Sequence, residues 1–166
     1  IGYLGQFRTW DGVLEVRIYR EKITDLIQED PVAPPPGVVD PRSFSFVNMS
    51  IPVSQRGLEW RYSARPIAEA RVQASYSNLR VRAPFLGSNH EHEVPGHVAT
   101  LSWMQDWTTR WASTLSLIRY GTYEWGSGSF HVPAYTSIDA RVAYRFGPAA
   151  KPTELALVLL NQGGRH

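Results

Sequence analysis

Leu58-Glu59-Trp60-Arg61-Tyr62-Ser63-Ala64 and, shortly after, Ala70-Arg71-Val72-Gln73-Ala74-Ser75-Tyr76 decide the fold of this 166-residue chain. In both stretches every second side chain is apolar and the side chains between are charged or polar. Successive side chains of an extended strand point to opposite faces, so this period of two marks a β-strand with one greasy and one wet side. The same rule holds further along. Ile138, Ala140, Val142, Tyr144 and Phe146 oppose Asp139, Arg141 and Arg145; Ala99, Leu101 and Trp103 oppose Thr100 and Ser102; Leu115 and Leu117 oppose Thr114 and Ser116.

The segment around residues 14–26 is ambiguous. Val16, Tyr19, Ile23 and Leu26 fit one face of a helix, with Glu15, Glu21, Lys22 and Asp25 opposite. Leu14, Val16 and Ile18, with Glu15 and Arg17 between them, fit a strand whose parity slips near Ile23. The strand-like neighbours favour the strand.

Proline outlines the gaps. Eleven of the 12 prolines fall in five clusters, at 31–41, 66, 84–95, 133 and 148–152. Proline donates no backbone hydrogen bond and is kept out of continuous ladders. Only Pro52 interrupts a strand-like stretch, where it predicts a bulge or a break. The connections so defined alternate in length: short at 8–12, 65–68, 106–110 and 147–152, long at 28–42, 84–96 and 126–134. Tight turns on one side and large loops on the other are the habit of an antiparallel meander inserted in a membrane. The expected fold is therefore all-β, an antiparallel up-and-down meander of about eight strands inserted in a membrane.

Composition agrees. The 20 aromatic residues and 43% hydrophobic content argue against a disordered chain. The longest purely apolar run, 155–160, is far short of the ~20 residues a spanning helix requires. A net charge of +2 with dispersed charges gives no electrostatic case for nucleic acid. The absence of cysteine removes disulfides, thiol catalysis and Cys-ligated zinc. Aromatic rings follow the short joints: Trp10, Trp60 with Tyr62, Trp107 with Trp111, and Tyr144 with Phe146. Rings at one end of successive strands would form an interfacial girdle against outer-membrane lipid.

A set of segments in this order resembles the C-terminal barrel portion of a TonB-dependent outer-membrane receptor. The carriers are Gly2-Tyr3-Leu4-Gly5, Leu14-Glu15-Val16-Arg17-Ile18-Tyr19, Ile23-Thr24-Asp25-Leu26-Ile27, Phe46-Val47-Asn48, Arg56-Gly57-Leu58-Glu59-Trp60-Arg61-Tyr62, Ala74-Ser75-Tyr76-Ser77, Val94-Pro95-Gly96-His97, Val132-Pro133-Ala134-Tyr135, Ile138-Asp139-Ala140-Arg141 and 157–161. The resemblance implies a partial barrel over 1–166, lacking the N-terminal plug and the final strand, and contributing about eight of roughly 22 strands. Consistent with this, Ile1 enters mid-strand and 161–166 reads as a turn or loop. The resemblance also implies location in the bacterial outer membrane and active uptake of a scarce nutrient such as an iron–siderophore complex. By the same resemblance, loops capture the ligand, the absent N-terminal region meets the TonB complex, and the chain does no chemistry of its own.

Candidate sites are few. His90-Glu91-His92-Glu93 is the most ligand-like cluster, but its spacing matches no zinc pattern, and no resident metal or cofactor is expected. His90, His92, Trp125 and Phe130 are the candidate ligand contacts in the extracellular loops. Gly126-Ser127-Gly128-Ser129 has neither a lysine nor a following helix to make it a phosphate cradle. No G-x-S-x-G elbow or triad order stands out, so no catalytic residue and no enzyme activity are expected. Glu59 and Asp139, with Arg61 and Arg141 as neighbours, read as parts of lumen-facing charge networks rather than paired acid–base carboxylates. Fifteen of the 17 cationic residues are arginine, which suits such pairing. Two competing readings are a soluble β-sandwich or barrel that binds a ligand, which needs Leu58, Trp60 and Tyr62 in a dry core, and an outer-membrane barrel enzyme, which needs a Ser–His or carboxylate cluster at one rim.

Overall fold

A computed structural model describes residues 1–25, 27–31, 44–48, 52–83, 91–125, 130–148, 151 and 153–162. They form twelve strands: β1 (Gly2–Phe7), β2 (Gly12–Ile23), β3 (Ile27–Pro31), β4 (Phe44–Asn48), β5 (Val53–Ile67), β6 (Ala70–Arg82), β7 (His97–Asp106), β8 (Trp111–Tyr120), β9 (Tyr123–Trp125), β10 (Phe130–Val132), β11 (Tyr135–Phe146) and β12 (Thr153–Gln162). Eight of them make one sheet in the order β1-β2-β5-β6-β7-β8-β11-β12, every neighbour antiparallel. The sheet is a meander, and it is open between β1 and β12 among the described residues.

The ambiguous segment is a strand. β2 pairs with β5 without a slip from Val13↔Ser63 to Ile23↔Val53. The expected parity slip is instead the end of the strand, after which Asp25 adopts a left-handed backbone (φ 57°). Pro52 sits just ahead of β5, so it breaks the chain rather than bulging a strand. Pro66 departs from expectation. β5 runs past it to Ile67, and the β5–β6 register shifts between Ala64 and Ile67, where a bulge accommodates the missing donor. The chain end also differs: Asn161 and Gln162 belong to β12, with Asn161 left-handed (φ 54°) at a register shift and its backbone N–H donating to Asp139 Oδ1 at 2.7 Å.

The joints alternate as the sequence spacing predicts. β1–β2, β5–β6, β7–β8 and β11–β12 are joined by short turns. β2–β5, β6–β7 and β8–β11 are joined by long segments, two of which carry their own hairpins, β3–β4 and β9–β10. The β1–β2 turn contains a 3₁₀ turn at Thr9–Asp11, with Trp10 and Asp11 both at positive φ. Register also encodes tilt. The line of opposed residues Tyr3, Val16, Trp60, Tyr76, Ala99, Arg119 and Thr136 crosses β2 near its short joint and ends at the loop end of β11. A progressive stagger of this kind is what closes strands into a tilted barrel.

Among the described residues the sheet has no partner layer, and packing between elements is concentrated between hydrogen-bonded neighbours and at the 3₁₀ turn. Among the described residues no large side chain is fully buried, and the buried apolar ones are Val53 and five alanines. The greasy face is bare: Leu115 and Val142 are each 46% exposed and Leu157 is 67% exposed. A soluble sandwich would cover that face with a second sheet to remove it from water. None is present among the described residues, so the dry-core reading fails for Leu58, Trp60 and Tyr62, which share this face.

Candidate functional site

The opposite face is mostly polar, because the period of two leaves one set of residues there, with Leu79, Val98, Met104 and Ile118 interspersed. Tyr19 Oη donates to Glu59 Oε1 at 3.2 Å across the β2–β5 pair. Arg17 stacks its guanidinium 4.9 Å from the Tyr19 ring centre and pairs with Glu21 at 3.4 Å. Gln55 donates to the other Glu21 oxygen at 2.6 Å. Hydroxyl pairs continue across the sheet, Ser75 with Thr100 at 2.7 Å and Ser102 with Ser116 at 2.9 Å. Near the short joints, Arg145 pairs with Asp106 at 3.4 Å and with Glu154 at 3.2 Å, and Arg141 also holds Glu154. Such a wet, hydrogen-bonded surface is what a barrel presents to its lumen. On this face Glu59 accepts from Tyr19, Arg141 and Arg145 share Glu154, and Asp139 accepts from the Asn161 N–H. Strand register, not sequence adjacency, brings the groups together.

At the loop end the polar face turns aromatic. Tyr120 and Tyr135, opposed across β8–β11, stack with ring centres 4.8 Å apart and planes at 23°. Beyond them, the β9–β10 hairpin opposes Tyr123 to Val132, Glu124 to His131 and Trp125 to Phe130. Two of the candidate ligand contacts are thus one cross-strand pair, and both rings are open, Trp125 66% and Phe130 68% exposed. His92 is exposed in the segment before β7, at the same end of the sheet. Its neighbour Glu91 accepts a 2.8 Å hydrogen bond from the Ala83 backbone N–H and ties the segment to the end of β6. His90 lies outside the described residues. Among the described residues no group of three His, Cys, Asp or Glu comes together as a metal site.

The girdle candidates divide. Trp10, Trp107, Trp111, Tyr144 and Phe146 lie at or next to the short joints. Trp111 and Tyr144 are opposed across β8–β11 with ring centres 4.8 Å apart, and Tyr144 stacks on Phe146 at 6.2 Å. Trp107 Nε1 donates to Ser113 Oγ at 2.9 Å. Trp60 and Tyr62 do not sit beside a joint, because β5 continues past Pro66; Trp60 is opposed to Val16 and Tyr76 in mid-sheet. Trp103, three residues from the β7–β8 joint and 42% exposed on the same face, stands nearer that level. Sequence reasoning missed this tryptophan and the Tyr120–Tyr135 stack. The signal for the stack was available, since both tyrosines flank the same long segment.

One open antiparallel sheet, greasy outside and polar inside, with short turns at one end and long loops at the other, is the wall of an outer-membrane β-barrel. The model of the TonB dependent receptor-like, beta-barrel family matches residues 1–161, and the chain belongs to that family of bacterial outer-membrane receptors. A comparison with curated proteins returned no match.

Proposed function

We propose that this chain forms wall and loops of a receptor that captures a metal chelate, an iron–siderophore complex being the favoured ligand, and passes it inward on energy delivered through TonB. The observation that supports the reading is the open Trp125–Phe130 pair standing beyond the Tyr120–Tyr135 stack at the loop end of a polar wall. Flat, partly apolar chelates suit aromatic pairs, which offer large rigid contact area at little entropic cost. The hydroxyl- and arginine-lined face beneath offers hydrogen bonds to a ligand in transit. In this reading the rest of the receptor supplies a plug and the closing strands, and the plug carries the contact with TonB.

The test is uptake of radioactive iron, offered as catecholate, hydroxamate and carboxylate chelates, by cells carrying or lacking the intact receptor. Receptor-dependent uptake of one chelate class that disappears without TonB supports the reading. Uptake indifferent to the receptor for every class, or unchanged without TonB, refutes it.

A further inference from the structure

The outer face changes character abruptly on β2, β5 and β6. Rising from the short joints, its opposed rows read Leu14–Tyr62–Ala74, Val16–Trp60–Tyr76, Ile18–Leu58–Asn78, and then Arg20–Arg56–Arg80. Three arginines therefore stand side by side on neighbouring strands, with Arg82 one same-face step above Arg80. Cβ atoms of directly opposed residues lie about 4.5–5.5 Å apart, and like charges so placed repel. All four side chains are exposed. Among the described residues, none of the ion pairs involves them. Glu21 faces the lumen side with Arg17 and Gln55, which leaves Glu91, one oxygen of which accepts from the Ala83 N–H, as a single carboxylate beside four arginines. A shallow depression of about 380 Å³ is lined by Arg20, Ser54, Arg56, Arg80, Arg82 and Glu91 among others.

The height of the row indicates what meets it. A strand rising about 3.4 Å per residue and tilted about 40° climbs the ~25 Å apolar band in about ten residues. Counted from Ile67 at the short joint, that distance ends at the level of Gly57 and Leu58. Arg56 lies just beyond, where hydrocarbon gives way to headgroups, and the Trp60 and Tyr76 rings lie two rows below. We infer that Arg20, Arg56 and Arg80 form a binding site on the outside of the barrel wall for phosphate groups of outer-leaflet lipid headgroups. The planar fork of each guanidinium matches phosphate oxygens in pairs, and an anion shared by the row removes the repulsion within it. The site is separate from the loop aromatics and stands or falls independently of what the receptor transports.

The test uses intact receptor in a neutral detergent, titrated with phosphatidic acid or with phosphatidylcholine, the lipid retained being counted by native mass spectrometry. Heat-modifiable gel migration confirms the folded barrel of each variant. Phosphatidic acid should be retained in preference to phosphatidylcholine. Arg20→Gln and Arg56→Gln should each raise its half-saturation about five-fold. Arg61→Gln, on β5 but facing the lumen, should leave it unchanged, and Arg56→Lys should fall between. Equal loss in Arg61→Gln, or indifference to removal of the row, overturns the site. Displacement of the lipid by equimolar inorganic phosphate assigns the row to a free anion and overturns the lipid.

Discussion

Tyr19 lies across the strand pair from Gly57, its ring covering the glycine so closely that a Cβ added there would fall 2.5 Å from the ring's Cζ. The ring can lie flat on β5 only because that position carries no side chain. This places its hydroxyl on Glu59, one same-face step along the strand. An aromatic ring covering a strand glycine restores the packing that the glycine lacks and pins the register.

Gly57→Ala should therefore cost about 1–3 kcal/mol, because the ring must leave its place. Tyr19→Phe keeps the cover, loses one hydrogen bond and should cost about 1 kcal/mol or less. Urea unfolding of the folded barrel, followed by gel migration, measures both. A Gly57→Ala variant as stable as the parent removes the packing argument.

Val142 stands on the bare face between Ser113 of β8 and Leu157 of β12. Val142→Arg should cost about 2–4 kcal/mol if hydrocarbon covers it at mid-depth. Arg141→Ala, next in sequence but facing the lumen, should cost less than about 1 kcal/mol. Unfolding in lipid vesicles separates the two, and equal costs would mean that the faces are assigned wrongly.

The Trp111–Tyr144 pair predicts an energetic coupling of about 0.5–1.5 kcal/mol in a double-mutant cycle to alanine. Trp103, opposed to Val72 and Leu115, and Tyr62, opposed to Leu14 and Ala74, do not face each other and should show none. Additive behaviour of Trp111 and Tyr144 would mean that their tilted ring contact contributes nothing beyond burial.

Loop and turn ends should differ in access from outside the cell. A cysteine replacing His92 in the intact receptor should react with a membrane-impermeant maleimide on whole cells. One replacing Thr109, in the β7–β8 turn, should react only after the outer membrane is opened. The reverse pattern inverts the topology.

Trp125→Ala should lower receptor-dependent chelate uptake about ten-fold, as loss of an aromatic anchor does. The same change should leave barrel stability untouched, since the ring is open and lies in the β9–β10 hairpin outside the eight-stranded sheet. Unaltered uptake would detach the hairpin from ligand capture.

Much of this protein was legible from residue order alone. Alternation of side chains across a strand is a property of each strand by itself, so Leu58, Trp60 and Tyr62 against Glu59 and Arg61 define two faces with no partner needed. Proline and glycine punctuation marked the joints for the same local reason, missing where a bulge absorbed Pro66 and where β12 ran on through Asn161 and Gln162. What lies opposite what was not legible, because register is set by hydrogen bonds between strands distant in the chain. The tertiary structure alone brought Tyr19 onto Gly57 and Glu59, gave Glu154 to both Arg141 and Arg145, paired Trp125 with Phe130, and lined up Arg20, Arg56 and Arg80. Sequence fixes which way each side chain faces; the ladder between strands fixes the company it keeps.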